Sequence, residues 1–309
     1  KEFSSLLLTH FSNYQVKSYD SISEVIRTYY SSRDLITRIR QKSSDLRRVV
    51  QTALERNRKK YDLQLKQLKD TEKREKYRIY GELLNTYGYE LKGGEKSFKC
   101  INYYDNEEIT IPLDPQLTAR ENAQKHFDKY NKLKRTYEAL SQLTMETKAE
   151  VDHLESVSSA LDIALEENDL VQIKEELMEF GYVKKRRANE KRPKITSKPF
   201  HYISSDGYDI FVGKNNYQNE ELTFKVASGN DWWFHAKGIP GSHAIVKSNG
   251  QADLPDRVFE EAGALAAYYS KGRENDKVEI DYIQKKNIKK VAGAAPGFVI
   301  YHTNYSLVA

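Results

Sequence analysis

The fold is decided by residues 33–85, which read RDLITRIRQKSSDLRRVVQTALERNRKKYDLQLKQLKDTEKREKYRIYGELLN. This stretch has no proline and a single glycine, Gly81, so little in it disfavours a helix. Its stripe advances in steps of three and four, with one shift after Ala53: Leu35, Ile39, Lys42, Leu46, Val49 and Ala53, then Leu54, Tyr61, Leu65, Leu68, Glu72, Glu75 and Ile79. Such spacing keeps one helix face turned toward a partner helix and is typical of a coiled coil. We therefore predict one helix, about 80 Å long, that needs a second helix to cover its stripe.

A second helical pattern covers residues 118–167, and Thr118 and Glu121 at its start have the spacing of a capping box. The simplest arrangement of the two helices is an antiparallel α-helical coiled-coil hairpin over residues 33–181, with a small tip module at about 86–117. A parallel homodimer is the alternative. The tip module is expected to be held together by its aromatic residues, Tyr87, Tyr89, Phe98, Tyr103 and Tyr104.

Charge is unevenly placed along the chain, although the formal net charge is only +5. Residues 184–198 carry +7, residues 56–78 carry +6 and residues 120–135 carry +4, whereas residues 146–167 carry −6. In an antiparallel hairpin both basic helical segments fall on the distal half and the acidic segment lies near the base. Clustered positive charge favours a polyanionic partner, and solvated helix faces are the alternative.

Residues 200–309 change to an α+β pattern, after a basic linker at 182–199. Asp206-Gly207 between two short β-like segments predicts a hairpin, and the element order reads ββαββαββ, with residues 297–302 as the last strand. A basic cluster follows the predicted strand at 278–283: Lys285, Lys286, Lys289 and Lys290. It is consistent with binding to a nucleic-acid backbone.

Few residues in the chain are suited to catalysis. The single cysteine, Cys100, excludes a disulfide framework and a multi-cysteine zinc site. His235 and His243 share a strand–turn–strand segment, but they lack the further ligands of a metal site. The segment from Gly213 to Asn216 lacks the P-loop pattern; it predicts either a phosphate contact or an Asn-capped turn. We therefore expect no enzyme, no cofactor, no metal site and no membrane insertion.

Two motifs carry a family resemblance: FVGKNNYQNEELTFKVA at 211–227 and DWWFHAKGIPGSHAIVK at 231–247. They resemble the RNA-binding module, NFACT-R, of the RqcH/NEMF (NFACT) group of ribosome quality-control factors, whose bacterial members are often named fibronectin-binding protein A. The helical segment 33–181 resembles the long coiled coil of that family in architecture only. The family's N-terminal domain is expected to be missing here, with residues 1–32 as a remnant of a preceding helical segment.

The resemblance implies a non-catalytic, cytoplasmic factor that binds the large ribosomal subunit, its rRNA and tRNA. In the full-length family it supports C-terminal alanine tailing of stalled nascent chains. The coiled coil would then contact the ribosome through Lys59, Lys60, Lys73 and Arg74. The predicted RNA-binding residues are Lys214, Asn215, Asn216, His235, Lys237 and His243, together with Arg186 and Arg187 of the linker.

The family's other name implies an alternative function, a cell-surface adhesin that binds host fibronectin or fibrinogen. No signal peptide, sortase-type tail or repeat in the sequence supports export, but the expected absence of the N-terminal domain weakens the first of these observations. The two functions are compatible if the protein leaves the cytoplasm by an unconventional route.

Overall fold

The computed structural model describes residues 4–6, 16–186, 193–251 and 253–309. These residues divide into two units. One comprises Lys1–Leu54 and Asp152–Ala309, and the other comprises Glu55–Val151. Long helices dominate the first half of the chain, and an antiparallel sheet domain occupies the C-terminal third.

The helices before the sheet domain are α1 Ile22–Lys42, α2 Ser44–Asp70, α3 Arg74–Tyr87, α4 Ala119–Ile163 and α5 Glu167–Glu179. The predicted uninterrupted helix over 33–85 is wrong in detail, because it is broken at Ser43 and at a 3-10 turn, Thr71–Lys73. At each break a hydroxyl group donates to the carbonyl three residues earlier: Ser43 to Arg40 at 3.2 Å, and Thr71 to Leu68 at 2.5 Å. Such bonds compete with the helical ladder.

The buried face of α2 agrees with the predicted stripe only in part. Glu72 and Leu65 are exposed, as is Lys42 of α1. Ala53 and Leu54 are buried as predicted. A seven-residue repeat of buried positions also runs through Val50, Asn57, Gln64 and Thr71, so polar residues occupy part of the buried face.

Helix α3 packs against the first half of α4 in antiparallel order. The Arg74 guanidinium lies 4.0 Å from the centre of the Tyr137 ring, and Lys129 Nζ lies 4.3 Å from that of Tyr77. At Gly81 the helices approach so closely that a Cβ would lie 2.7 Å from the Phe127 ring. The glycine within this helical pattern therefore has a packing reason. The predicted capping box of α4 is also confirmed, since Thr118 N–H donates to Glu121 Oε2 at 2.8 Å and Glu121 N–H donates to Thr118 Oγ1 at 3.3 Å.

A two-stranded hairpin lies between α3 and α4, formed by β1 Ser97–Asn102 and β2 Glu107–Pro112. Its inner face packs on α3 and the start of α4 through Leu83, Leu84, Phe98, Ile111 and Ala123. Of the aromatic residues predicted to form this core, Tyr87 and Phe98 do so. The prediction is wrong for Tyr89, Tyr103 and Tyr104, which are exposed. Tyr104 donates a hydrogen bond to Glu82 instead, at 2.6 Å.

The C-terminal domain contains β3 Phe200–Ile203, β4 Asp209–Val212, α6 Asn216–Glu221, β5 Trp232–Ala236, β6 Ala244–Val246, α7 Asp256–Tyr268, β7 Glu279–Gln284, β8 Lys289–Lys290, β9 Val299–Ile300 and β10 Tyr305–Val308. Helix α6 continues as a π-helical turn, Leu222–Val226. Six strands form one antiparallel sheet in the order β10-β7-β5-β6-β4-β3.

The predicted last strand of this sheet, 297–302, is wrong. Strand β9 pairs with β8 in a separate ribbon, and β10 forms the edge beside β7. The β10 residue Leu307 fits against Gly263 of α7, where a Cβ would lie 2.6 Å from it. A side chain at Gly263 would therefore push this edge strand away.

Both faces of the sheet are covered. Helix α7 packs Val258, Ala262 and Ala266 on one face, around Phe234. The opposite face carries Trp233 in a second cluster with Leu222, Ile245, Ile283 and Ile288. Trp232 and Trp233 therefore point to opposite faces, as strand alternation predicts.

Candidate nucleic-acid interface

The segment from Gly213 to Asn216 joins the end of β4 to α6 and lies against α5. Lys214 is only 8% exposed; its Nζ lies 3.1 Å from Asp169 Oδ1 and 4.6 Å from the centre of the Phe200 ring. The other carboxylate oxygen of Asp169 accepts the N–H groups of Leu165 and Glu166, each at 3.0 Å. The Lys214 charge is thus compensated within the chain.

Asn215 and Asn216 are also buried and bonded. The Asn215 side-chain oxygen accepts the N–H of Gln218 at 3.0 Å, so this residue caps α6, and its amide donates to Gln172 of α5 at 2.9 Å. The Asn216 amide donates to Glu176 of α5 at 2.7 Å and to Ser156 of α4 at 2.8 Å.

We call Lys214, Asn215 and Asn216, with their partners Asp169, Gln172 and Glu176, the docking network. It attaches the sheet domain to α5 and to the end of α4. The cavity beside it measures about 10 Å³, which is room for one water molecule. RNA would reach these side chains only if the sheet domain left α5, so their assignment to RNA stays a prediction.

Of the two histidines of the second motif, His243 is buried and His235 is half-buried. His243 is 3% exposed, and its Nδ1 lies 2.8 Å from Thr223 Oγ1. The His235 ring stacks on Trp233 and meets the His243 ring edge-on, with 5.5 Å between the two histidine ring centres. Burial lowers the pKa of His235 to about 4. Burial, and then the neighbouring His235, lower the pKa of His243 well below its usual value. Both rings are therefore neutral at pH 7 and offer no positive charge to a phosphate.

The remaining RNA-binding predictions fall on the surface or outside the described residues. Lys237 is exposed and pairs with Glu279, at the start of β7. Arg186 is half-buried and pairs with Glu175 of α5. Arg187 lies outside the described residues.

The four basic residues of the helices that were predicted to contact the ribosome differ in their exposure and in their ion pairs. Lys59 and Lys60 are exposed, and neither forms an ion pair within the described part of the chain. Lys73 lies 3.4 Å from Asp70. Arg74 is half-buried over Tyr137, where it contributes to the contact between α3 and α4. Lys59 and Lys60 are thus the clearest candidates for an external anion.

A polar bowl of about 480 Å³ was not predicted from the sequence. It is lined by Ser228, Gly229, Asn230, Asp231, Lys247, Ser248, Asn249 and Gly250. Its residues come from the two loops that precede β5 and follow β6, which become neighbours only when these strands pair. Asn249 and Gly250 both have positive φ values, 51° and 82°, in a tight turn closed by a 2.9 Å bond from Gln251 N–H to Ser248 O. Asn-Gly at 249–250 was the available signal for this turn.

Two further properties bear on the kind of site. Across the ranges that the structure describes, no three histidine, cysteine, aspartate or glutamate residues are grouped so that they could hold a metal ion. Within those same ranges, no helix combines the length and the apolar character needed to cross a bilayer.

Comparison with protein families identifies the class of protein to which this fold belongs. The NFACT N-terminal and middle domains match residues 1–196, and the NFACT protein RNA binding domain matches residues 198–302. The chain therefore belongs to the NFACT family of ribosome quality-control factors, as the sequence motifs predicted.

Two curated proteins are similar to almost the whole of this chain. The chain is 41% identical over 295 residues to the Rqc2 homolog RqcH of Streptococcus pneumoniae serotype 2 (strain D39 / NCTC 7466), covering 94% of this chain and 52% of that protein. It is 36% identical over 312 residues to the Rqc2 homolog RqcH of Bacillus subtilis (strain 168), covering 99% and 54%. The chain thus spans about half the length of these curated relatives.

One similar solved structure is the C-terminal part of the fibronectin/fibrinogen-binding protein from Streptococcus suis. Its TM-score is 0.69 at 39% identity, and the match covers 88% of this chain and 94% of that chain. The similarity extends over both the helices and the sheet domain.

Proposed function

We propose that this chain is the part of a ribosome quality-control factor that binds the large ribosomal subunit through rRNA and tRNA. In the complete protein it would support the addition of C-terminal alanines to stalled nascent chains. The match of residues 198–302 to the NFACT RNA binding domain carries this proposal, and the RqcH relatives support it.

The helices would act as a coiled-coil hairpin that reaches a ribosomal site. Antiparallel packing of α3 on α4 and the heptad spacing of buried residues in α2 support this part of the proposal. The exposed Lys59 and Lys60 supply positive charge that no ion pair within the described residues neutralises. Phosphates of rRNA are the anions that such a surface fits.

The proposed role is non-catalytic, without a cofactor and in the cytoplasm. His235 and His243, the two histidines of the second motif, are stacked or hydrogen-bonded within the domain and are neutral at pH 7. Chemistry in the alanine-adding process would then belong to the ribosome, and this chain would position its substrates.

Sedimentation of the full chain with separated ribosomal subunits tests the proposal. We expect association with the large subunit only, with an affinity that falls by a log–log slope of about −0.7 to −0.9 per neutralised phosphate as salt rises. Lys59→Glu with Lys60→Glu should weaken it by about tenfold or more. Arg186→Gln with Arg187→Gln should also weaken it.

The matched control reverses two exposed lysines outside the basic segments, Lys148→Glu with Lys174→Glu. It makes the same change in net charge and should leave binding within about twofold of the wild type, because salt screens the attraction between rRNA and lysines that are not close to it. Equal binding to the small subunit, or binding that is insensitive to salt, would contradict the proposal.

A second function, adhesion to host fibronectin or fibrinogen, is favoured by one observation. The similar Streptococcus suis structure belongs to a protein named for binding these two ligands. If the full chain bound immobilised fibronectin saturably and as tightly as it binds large subunits, the adhesin function would be supported. We expect no saturable binding.

A further inference from the structure

The sheet domain has two ends, and only one is covered by the docking network. Lys214 follows the end of β4, beside the start of β6, because Val212 pairs with Ala244. The opposite end contains the start of β5 and the end of β7, where Trp232 pairs with Gln284. The loops at this second end lie a full strand away from the α5 contact.

Lysines from two separate segments meet at this second end. Lys285 N–H donates to Asp231 O at 2.9 Å, and Lys286 N–H donates to Gly229 O at 3.0 Å, so the turn after β7 lies against the loop before β5. Lys285 Nζ lies 6.0 Å from the centre of the Phe224 ring, next to Lys225 in the chain. Pairing of the strands therefore brings Lys225, Lys285 and Lys286 to one end of the domain.

Asp231 orders the two turns of the polar bowl. Its carboxylate accepts the N–H of Ser228 at 2.7 Å and that of Ser248 at 2.9 Å, and it pairs with Lys247. Burial alone would raise the pKa of Asp231, but the Lys247 ammonium and these N–H groups outweigh burial and hold that pKa below its usual value. The carboxylate is therefore ionised at pH 7 and neutralises Lys247.

The charges of the other lysines at this end are not neutralised by an ion pair within the described residues. Lys225 and Lys286 are exposed, Lys285 is half-buried, and none of the three forms an ion pair within the described residues. Glu221 lies one turn before Lys225 and makes no ion pair with it. These three positive charges stand beside a bowl lined by hydroxyl and amide groups, which suits phosphate and sugar contacts without base-specific readout.

We propose that the lysine end of the sheet domain, formed by Lys225, Lys285 and Lys286 with the polar bowl, binds the sugar–phosphate backbone of RNA. The inference rests on the proposed function and places RNA contact at the end opposite the docking network. The docking network itself holds the sheet domain on α5 and does not touch RNA.

Binding of the full chain to deproteinised large-subunit rRNA, measured across a salt series, tests this surface. The test variant is Lys225→Gln with Lys286→Gln. The control is Lys271→Gln with Lys277→Gln, which removes two exposed lysines that precede β7, whereas Lys286 follows β7. Thermal unfolding of both variants checks that they fold.

We expect the test variant to bind about tenfold more weakly near 150 mM salt, with a salt slope reduced by about 1.5, and the control to bind like the wild type. Equal weakening by both variants would overturn the proposal in favour of general charge attraction. Wild-type affinity in the test variant would contradict RNA binding at the lysine end but would not contradict the proposed function. Failure of the wild-type chain to bind rRNA would contradict the proposed function and this surface together.

Discussion

Lys214 and Lys286 lie near opposite ends of the same sheet and have opposite environments. Lys214 is 8% exposed and sits 3.1 Å from Asp169. Lys286 is exposed, and it makes no ion pair within the described part of the chain. In the sequence, Lys214 lies in one of the two family motifs and Lys286 lies in neither, yet the structure uses Lys214 to hold the domain on α5.

The difference shows that a residue of a family motif can be required for packing or for ligand binding, and that the motif alone does not distinguish the two. A buried lysine requires a carboxylate nearby, and loss of either partner of the buried pair is strongly destabilising. A lysine that binds phosphates needs only exposure and like-charged neighbours. One family motif can therefore contain residues of both kinds: Lys214 holds the domain in place, whereas Lys225 of the same motif is exposed at the proposed RNA surface.

The largest expected effect comes from breaking the buried ion pair. Asp169→Ala leaves the Lys214 charge buried without its carboxylate, so the free energy of unfolding should fall by about 3–5 kcal/mol in denaturant titrations. The control is Glu279→Ala, which removes the carboxylate partner of exposed Lys237. That loss should be under about 1 kcal/mol. Equal losses would mean that burial does not distinguish the Lys214–Asp169 pair from the exposed Lys237–Glu279 pair.

The next largest effect on stability is expected on acidification, through His235 and His243. The folded-state pKa of His235, about 4, lies below its ordinary value of 6.5, so the unfolded chain binds more protons between these pH values. The free energy of unfolding should therefore fall as pH drops through this window, by about 3 kcal/mol, and be unaffected by this group at higher pH.

Thermal unfolding from pH 7 to pH 4 measures this loss. His235→Gln should flatten the pH dependence, whereas His201→Gln, at an exposed histidine, should keep it. An unchanged slope in the His235 variant would show that acid acts elsewhere.

A smaller effect is expected at the lysine end. Asp231→Ala removes the acceptor of two backbone N–H groups and of Lys247, so about 2 kcal/mol of stability should be lost. The bowl is open to water, which should keep this loss below that of Asp169→Ala. Denaturant midpoints of the two variants, measured side by side, rank the two ends directly. A larger loss for Asp231→Ala would reverse the comparison.

The smallest effect is expected for Lys286→Gln, which should change the free energy of unfolding by less than about 0.5 kcal/mol. The same substitution at Lys214 should cost about 2 kcal/mol, since Asp169 would lose its charged partner. A measurable loss of stability for Lys286→Gln would show that this lysine has a structural role.

Local patterns in the sequence predicted much of the secondary structure. The span of α4, the capping box at Thr118, the hairpin turn at Asp206-Gly207 and the opposed tryptophans all follow from spacing or turn chemistry. Each depends on residues a few positions apart, whose geometry the backbone sets directly.

Other features depended on contacts that spacing does not encode. The break at Ser43 looks like a tolerable polar position in a heptad, yet its hydroxyl bonds a backbone carbonyl. Strand β10 was not predicted, because its residue Leu307 packs into the space left by Gly263, which lies 44 residues earlier in the chain. Asn57 and Gln64 of α2 are buried although the predicted stripe, drawn mainly from apolar residues, did not include them.

For the candidate site, the sequence alone determined the family, the long helices and the presence of clustered positive charge. Only the tertiary structure decided that Lys214, Asn215 and Asn216 turn inward onto α5, and that Lys225 joins Lys285 and Lys286 at the free end of the sheet. The physical reason is that helical period and charge are properties of the local chain. Burial and the neighbours of a charge depend instead on which distant segments pack together.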